Sequence, residues 1–258
     1  MKIQIYSDLH ADINQIYKPS DILSTKDDTD LYIDAGDTGE FLTTKAFYQD
    51  KFWSDKKVLF VGGNHTHYNY GNIESNQEEL KKLFPHQNCV TYLQDDDTVI
   101  GDYVFLGCTL WSSYQIYGTP NLSKKIARKR MNDFKCIKFS EEVHLTPEIC
   151  QTMFSLSLKY LHKRLMKYIG KKKAIVITHH APSIKSCLDI YKDDQVSASY
   201  CSNLEQFMQD HQVFLWIHGH MHNTSGYQLG NSYVCCNPLG YIKYNEISGF
   251  VNNLIIDI

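Results

Sequence analysis

Val213–His222, VFLWIHGHMH, is the stretch on which the reading of this chain turns. Val213–Ile217 is a run of apolar, β-branched and aromatic residues, the signature of a short buried strand. The next residues, His218-Gly219-His220-Met221-His222, crowd imidazoles together at the end of that strand. Packing does not explain such crowding, whereas neutral imidazole is the commonest metal ligand near physiological pH. A buried strand that ends in candidate ligands is therefore the unit to look for elsewhere.

The same unit recurs in order along the chain. Ile3–Tyr6 runs into Ser7-Asp8-Leu9-His10, Leu31–Ile33 into Ala35-Gly36-Asp37, and Val58–Val61 into Gly62-Gly63-Asn64-His65. Ala174–Ile177 runs into Thr178-His179-His180-Ala181-Pro182. Loops that leave strand ends on one edge converge on one site. Asp8 and His10 are two apart on an extended segment, so they point the same way and can grip one ion. Gly36 admits a close backbone approach, and the two oxygens of Asp37 can bridge two cations. Asn64 offers a neutral oxygen, and His65 can reach a substrate. Asp34, inside an apolar run, is expected to be hydrogen-bonded structurally and not to ligate. Each block has a blander reading: a surface acid with a capping His, a turn carboxylate, a glycine turn, a loop cap. Those readings must all coincide at successive strand ends, which favours a metal site. Between His179 and His180 the residues alone leave the ligand open.

Length and composition set the frame. A chain of 258 residues with 43% hydrophobic and 21% charged residues suits one large α/β domain with an ordinary core. The net charge of −3 argues against a strongly basic nucleic-acid binder. No apolar run approaches the roughly 20 residues of a membrane span. The start, MKIQIYSDLH, does not read as a signal peptide, so a cytoplasmic protein is expected. The eight cysteines are scattered without a CxxC pair and read as reduced thiols.

Two hairpins are predicted: Thr98–Ile100 with Tyr103–Leu106 around Gly101-Asp102, and Gly226–Leu229 with Ser232–Cys236 around Gly230-Asn231. Asn253–Asp257 reads as the last strand. Ser112–Gly170 differs in character and is expected to form a helical insertion in a single domain of residues 1–258. Within it, Pro147–Ile169 has helical periodicity, a start at Thr146-Pro147-Glu148 and a stop at Gly170. The basic run Lys124–Arg130, KKIARKR, is either a solvated helix face or an anion-attracting flap near the site.

Taken together, the blocks Asp8-Leu9-His10, Gly36-Asp37, Gly63-Asn64-His65, His179 and Gly219-His220-Met221-His222 resemble the pattern of the calcineurin-like metallophosphoesterases. The Thr178–Ser183 and Cys236–Tyr241 segments are similar to those of small bacterial and phage-type members. The resemblance implies a four-layer αββα sandwich with metals at its upper edge. It implies that Asp8, His10 and His222 hold one divalent ion, that Asn64, His179 and His220 hold the other, and that Asp37 bridges. It assigns His65 to the substrate phosphate and the leaving group. His179 is preferred over His180 because it directly follows the strand. The chain departs from the pattern at Thr66, where many members carry an acid that orients the histidine; another acid such as Asp12 is the candidate replacement.

A mixed nitrogen and oxygen donor set suits Mn²⁺, Fe, Zn²⁺ or Ni²⁺, with Mn²⁺ favoured, better than Mg²⁺ or Ca²⁺. Two such ions activate a hydroxide for attack on phosphorus in a phosphate mono- or diester. The expected substrate is a small or nucleotide-like ester. Nuclease action on DNA or RNA is the alternative, and a non-catalytic metal-binding scaffold a more distant one. Trp111, Arg130 and Tyr241 are candidate substrate contacts, with Tyr114, Asn132 and Tyr200 beside them. An aromatic at Trp111 either stacks on a base or is partly buried in the core, and Arg130 either clamps a phosphate or is a surface helix cation.

Overall fold

Side-chain alternation along the strands decides which layer each sheet face meets. The computed structural model describes residues 1–24 and 28–258. Its strands are β1 Lys2–Tyr6, β2 Leu31–Asp34, β3 Val58–Phe60, β4 Val90–Tyr92, β5 Asp96–Ile100, β6 Tyr103–Cys108, β7 Lys173–Thr178, β8 Val213–His218, β9 Ser225–Leu229, β10 Ser232–Cys236 and β11 Ile255–Asp257. Its α-helices are α1 Ala11–Asn14, α2 Phe41–Gln49, α3 Ile73–Leu83, α4 Pro120–Arg130, α5 Asp133–Cys136, α6 Pro147–Tyr168 and α7 Glu205–Asp210. One sheet has the order β11-β1-β2-β3-β4, the other β5-β6-β7-β8-β10-β9. Strands β1 to β4 are mutually parallel, as are β6, β7, β8 and β10; β11, β5 and β9 are antiparallel edges.

Odd-numbered residues Ile3, Ile5, Leu31 and Ile33 of the first sheet pack against Phe105, Ile175, Ile177, Leu215 and Ile217 of the second. This is the layer between the sheets. Tyr6, Tyr32 and Phe60 face outward onto Phe41, Phe47 and Leu80 of α2 and α3. Val104, Leu106, Val176 and Trp216 face outward onto Ala127 of α4 and Phe154, Leu161 and Leu165 of α6. The central parallel strands are thus buried on both faces, which is why they read as continuous apolar runs, while the edge strands β5, β9 and β11 keep partly exposed residues. The result is the four-layer αββα sandwich that the resemblance implied.

The helical segment between β6 and β7 holds α4, α5 and α6. Helix α6 begins where its caps require: the Thr146 hydroxyl accepts a bond from Ile149 N at 3.3 Å, and Pro147 takes the first turn. It ends one residue before the predicted Ile169. Both predicted hairpins form, around Gly101 and Gly230. The last strand is shorter than predicted, because Leu254 N bonds Val251 O at 3.2 Å and turns Asn253 out of the ladder.

The two sheets are tied at the C-terminal edge of their parallel strands. Ser7, after β1, pairs with Pro238, after β10, through Ser7 N to Asn237 O at 3.2 Å and Leu239 N to Ser7 O at 3.0 Å. Loops from both sheets therefore open onto one place.

Candidate metal centre

Backbone bonds splice the strand-end loops to one another. Asp8 N bonds Gly36 O at 2.8 Å, His10 N bonds Asp37 O at 3.0 Å, and Gly219 N bonds His179 O at 3.0 Å. His220 N reaches both oxygens of Asp8, at 2.9 and 3.0 Å, and His65 N reaches Asp37 Oδ1 at 2.9 Å. Asp8, His10, Asp37, His220 and His222 all have positive φ, between 41° and 69°. Such left-handed residues cost about 1 kcal/mol or more each. Asp and His tolerate the region better than branched residues do, and left-handed turns at Asp8 and His10, not the extended segment expected from the sequence, carry these two side chains into the cluster. Gly63 is required by close approach: a Cβ there would lie 1.9 Å from Asp37 Oδ1. Gly36 is required by its φ of +95°, and a Cβ on it would meet His179 Nδ1 at 2.7 Å.

The side chains converge as overlapping groups whose donor atoms lie within 4.8 Å of one another: Asp8, His10 and His222; His10, Asp37 and His65; Asp37, His179 and His220. Asp37 Oδ2 lies 3.2 Å from His179 Nε2 and 3.9 Å from His10 Nε2, between the outer groups. Asn64 Oδ1 lies 3.0 Å from His179 Nε2, and His10 Nε2 lies 3.0 Å from His222 Nε2. His10 Nδ1 and His220 Nε2 are buried and have no protein partner. Buried polar atoms are normally satisfied. A buried cluster of imidazole nitrogens and carboxylate oxygens, with such atoms left over, fits divalent cations of the Mn²⁺ or Zn²⁺ type.

The electrostatics agree. Burial opposes ionisation of Asp37, but His179 and His65 outweigh it and hold the carboxyl well below its usual range. Burial likewise opposes ionisation of Asp8, and the bond to His222 overcomes it. Burial pushes His10 down to about 3, and burial with the neighbouring His180 and His179 pushes His220 well down. His179 and His222 go the other way. Burial lowers both, yet Asp37 lifts His179 to about 9, and bonds to Asp8 and Glu246 lift His222 to about 10. Two buried carboxylates thus draw protons onto adjacent imidazoles, in the place where cations would supply the positive charge.

Orienting groups surround the cluster. His179 Nδ1 faces Ala35 O at 2.9 Å, leaving Nε2 for the centre. His180 instead turns its Nδ1 to Thr109 O at 3.2 Å and packs on Trp111. His222 Nδ1 faces Glu246 at 2.8 Å. Asn64 Nδ2 donates to buried Asp133 at 2.9 Å, which directs Oδ1 toward His179, and Tyr68 OH donates to the same carboxylate oxygen. His65 stacks on Tyr68 with centroids 4.1 Å apart, and its Nε2 lies 3.0 Å from the Tyr241 hydroxyl. No local motif in the sequence marks Asp133, Glu246 or Tyr68.

Several expectations need correction or division. Trp111 is 2% exposed and belongs to the core with Leu110 and Tyr114, because the chain leaving β6 passes beneath His180; it is not a surface on which a base could stack. Asp12 is exposed on α1, and Tyr241 faces His65 in its stead. The Thr66 hydroxyl accepts from Gly63 N at 3.2 Å and so closes the turn that carries Asn64. Asp34 is hydrogen-bonded as expected, to Gly36 N, Thr38 and Tyr48. The basic run divides: Lys124, Lys125, Arg128 and Lys129 line a separate groove with Glu148, and Arg130 alone of the run lines the cleft beside the candidate centre. Asn132, Tyr200 and Tyr241 line that cleft as well.

Two helix-flanked mixed sheets with such a donor cluster at their shared edge define a metallophosphoesterase. The chain belongs to the calcineurin-like phosphoesterase family, whose model matches residues 1–224. It is 28% identical over 265 residues to the uncharacterized protein L509 of Acanthamoeba polyphaga mimivirus, covering 93% of this chain and 92% of that one. Its structure is similar to that of phosphopantetheinyl hydrolase (PptH) from Mycobacterium tuberculosis, with TM-score 0.69, 14% identity, and 94% and 90% of the two chains covered. It is also similar to TT1561 of Thermus thermophilus, with TM-score 0.52, 12% identity, and 92% and 88% covered. These two structures share the fold; the family indicates metal-dependent hydrolysis of phosphoesters. Among the described residues, no helix is long and apolar enough to cross a membrane.

Proposed function

We propose that this chain hydrolyses small phosphate mono- or diesters at a centre of two divalent cations, with Mn²⁺ the favoured metal. One ion would be held by Asp8, His10 and His222, the other by Asn64, His179 and His220, and both by Asp37. The observation that carries this reading is the position of the Asp37 carboxylate between the two outer donor groups. The choice of His179 over His180 rests on Nε2 pointing at Asp37 while His180 bonds away from it.

Bound divalent cations would supply Lewis acidity toward phosphoryl oxygens and acidify water for attack on phosphorus. The chain's own residues do the rest. Asp37 and Asp8 hold the negative charge that draws the cations in. His65 lies at the cleft side of the centre, fixed by Tyr68 and the Tyr241 hydroxyl. It would donate a proton to the leaving oxygen or a hydrogen bond to an equatorial one, a contribution of about 10²–10⁴ in rate. Asp133 and Glu246 keep Asn64 and His222 aimed. Residues 112–170 would act as a helical cap within one functional unit of residues 1–258. Unpaired cysteines throughout fit a reducing compartment such as the cytoplasm.

The test is hydrolysis of p-nitrophenyl phosphate and bis(p-nitrophenyl) phosphate by protein loaded with Mn²⁺ and assayed for metal content. Turnover of either ester, abolished by chelation and restored by Mn²⁺, is expected. Absence of turnover in protein that holds two metals would refute the hydrolase reading and favour a scaffold.

A further inference from the structure

The cleft, its metal end included, has about 440 Å³ of space, the lower end of the range for small-molecule sites. Its charge is already balanced. Arg130 is the one Lys or Arg among the described lining residues, and its Nη1 touches both oxygens of Asp194 at 2.8 and 2.7 Å. Asp194 is itself fixed, because Oδ1 accepts from Val196 N at 3.0 Å at the start of the turn Gln195–Ser199. The nearby lysines are spent too: Lys192 pairs with Asp189 at 2.6 Å and Lys185 with Glu205 at 2.9 Å. Leu188, Tyr191 and Val196 give the lining an apolar stretch beside Asp194 and Ser197. Leu188 and Tyr191 keep 47% and 51% of their surface exposed, although they are large apolar side chains. Exposed apolar surface beside a concave site marks a place that receives something apolar.

We propose that the substrate is a small ester with a single phosphoryl group and an uncharged, partly apolar body, which lies along Leu188, Tyr191 and Val196. Asp194 is the specificity-determining residue, because it consumes the one cation that a second phosphate or a nucleic-acid backbone would need. This rests on the hydrolase reading above. The phosphoryl group sits at the metal end, the ester P–O bond is cleaved by water, and the alcohol leaves along the apolar stretch with the proton.

The test uses Mn²⁺-loaded full-length protein and competitive inhibition of the chromogenic ester it turns over. The probes are methyl phosphate, straight-chain hexyl phosphate, and the bisphosphate carrying a phosphate at each end of the same six-carbon chain. Inhibition makes the comparison independent of leaving-group reactivity. Hexyl phosphate should bind about tenfold tighter than methyl phosphate, the gain from burying roughly two methylenes. The bisphosphate should bind more weakly than hexyl phosphate. Asp194→Asn keeps a side chain able to cap the turn but frees Arg130. It should strengthen the bisphosphate by about fivefold or more through the released charged contact, with hexyl phosphate unchanged. Tyr191→Ala should erase part of the hexyl advantage and leave methyl phosphate alone. A bisphosphate that binds wild type tighter than hexyl phosphate, or an Asp194→Asn variant with an unaltered preference, overturns the proposal while the hydrolase reading stands. No turnover of any ester by the metal-loaded protein removes both.

Discussion

Asp133 offers a test of how the helical segment serves the metal centre. Its carboxylate is 3% exposed, and Oδ1 accepts from Asn64 Nδ2 at 2.9 Å and from Tyr68 OH at 2.5 Å. Burial raises its pKa, against the bonds from Tyr68 and Asn64 that favour the anion. Asp133→Ala strands an amide and a hydroxyl in the interior, each at a cost of about 1–3 kcal/mol. It also lets the Asn64 amide turn, so that Oδ1 no longer faces His179. Loss of such an orienting partner typically weakens metal binding about 10–100-fold. The effect should fall on the ion that the proposal assigns to Asn64, His179 and His220 and spare the one it assigns to Asp8. Asp133→Asn retains an acceptor and should fall between wild type and Ala. Competition with a calibrated chelator, read as two binding steps, measures this directly, and thermal unfolding of the metal-free proteins separates the stability loss. If Asp133→Ala keeps both steps at wild-type affinity, Asn64 is not aimed by Asp133 and the ligand assignment fails there.

Other predictions follow from the same geometry. Gly63→Ala puts a Cβ 1.9 Å from Asp37 Oδ1, so metal content measured by mass spectrometry should drop while the far-UV spectrum stays native. In the metal-free protein His179 and His222 titrate near 9 and 10, so at pH 7 both carry protons that cations must displace. Metal binding should therefore release protons, and apparent affinity should strengthen as pH rises from 7 toward 9; calorimetry in buffers of different ionisation enthalpy reads this, and binding without proton release would contradict it. His65→Ala should keep metal content and lose about 10²–10⁴ in kcat. Tyr241→Phe, which removes the hydroxyl 3.0 Å from His65 Nε2, should lower kcat by a smaller factor with metal content intact.

What was legible in the sequence is what is local in the structure. Each strand's apolar run abuts its own polar end, so the pairing of Val213–Ile217 with His220 and His222, or of Ile3–Tyr6 with Asp8 and His10, needs only neighbouring residues. Burial of both sheet faces made the runs continuous and easy to read. Orienting contacts are hidden where they arrive from far away: Asp133 meets Asn64 across 69 positions, and Tyr241, legible only as a candidate substrate contact, meets His65 across 176. The two readings of Trp111, base stacking and core burial, separate only in three dimensions: the segment after β6 is roofed by His180 and packed among Leu110 and Tyr114. The basic run was ambiguous because helix α4 sends neighbouring cations to different faces, Arg130 toward the cleft and Arg128 toward Glu148.

The central claim is that one carboxylate serves two ions. Metal content and hydrolysis of the chromogenic ester, measured on the same samples of wild type and Asp37→Asn, address it most directly. The account predicts two equivalents of metal with turnover in wild type, and a joint loss of metal and turnover in Asp37→Asn. Full metal content and full rate in Asp37→Asn would contradict it.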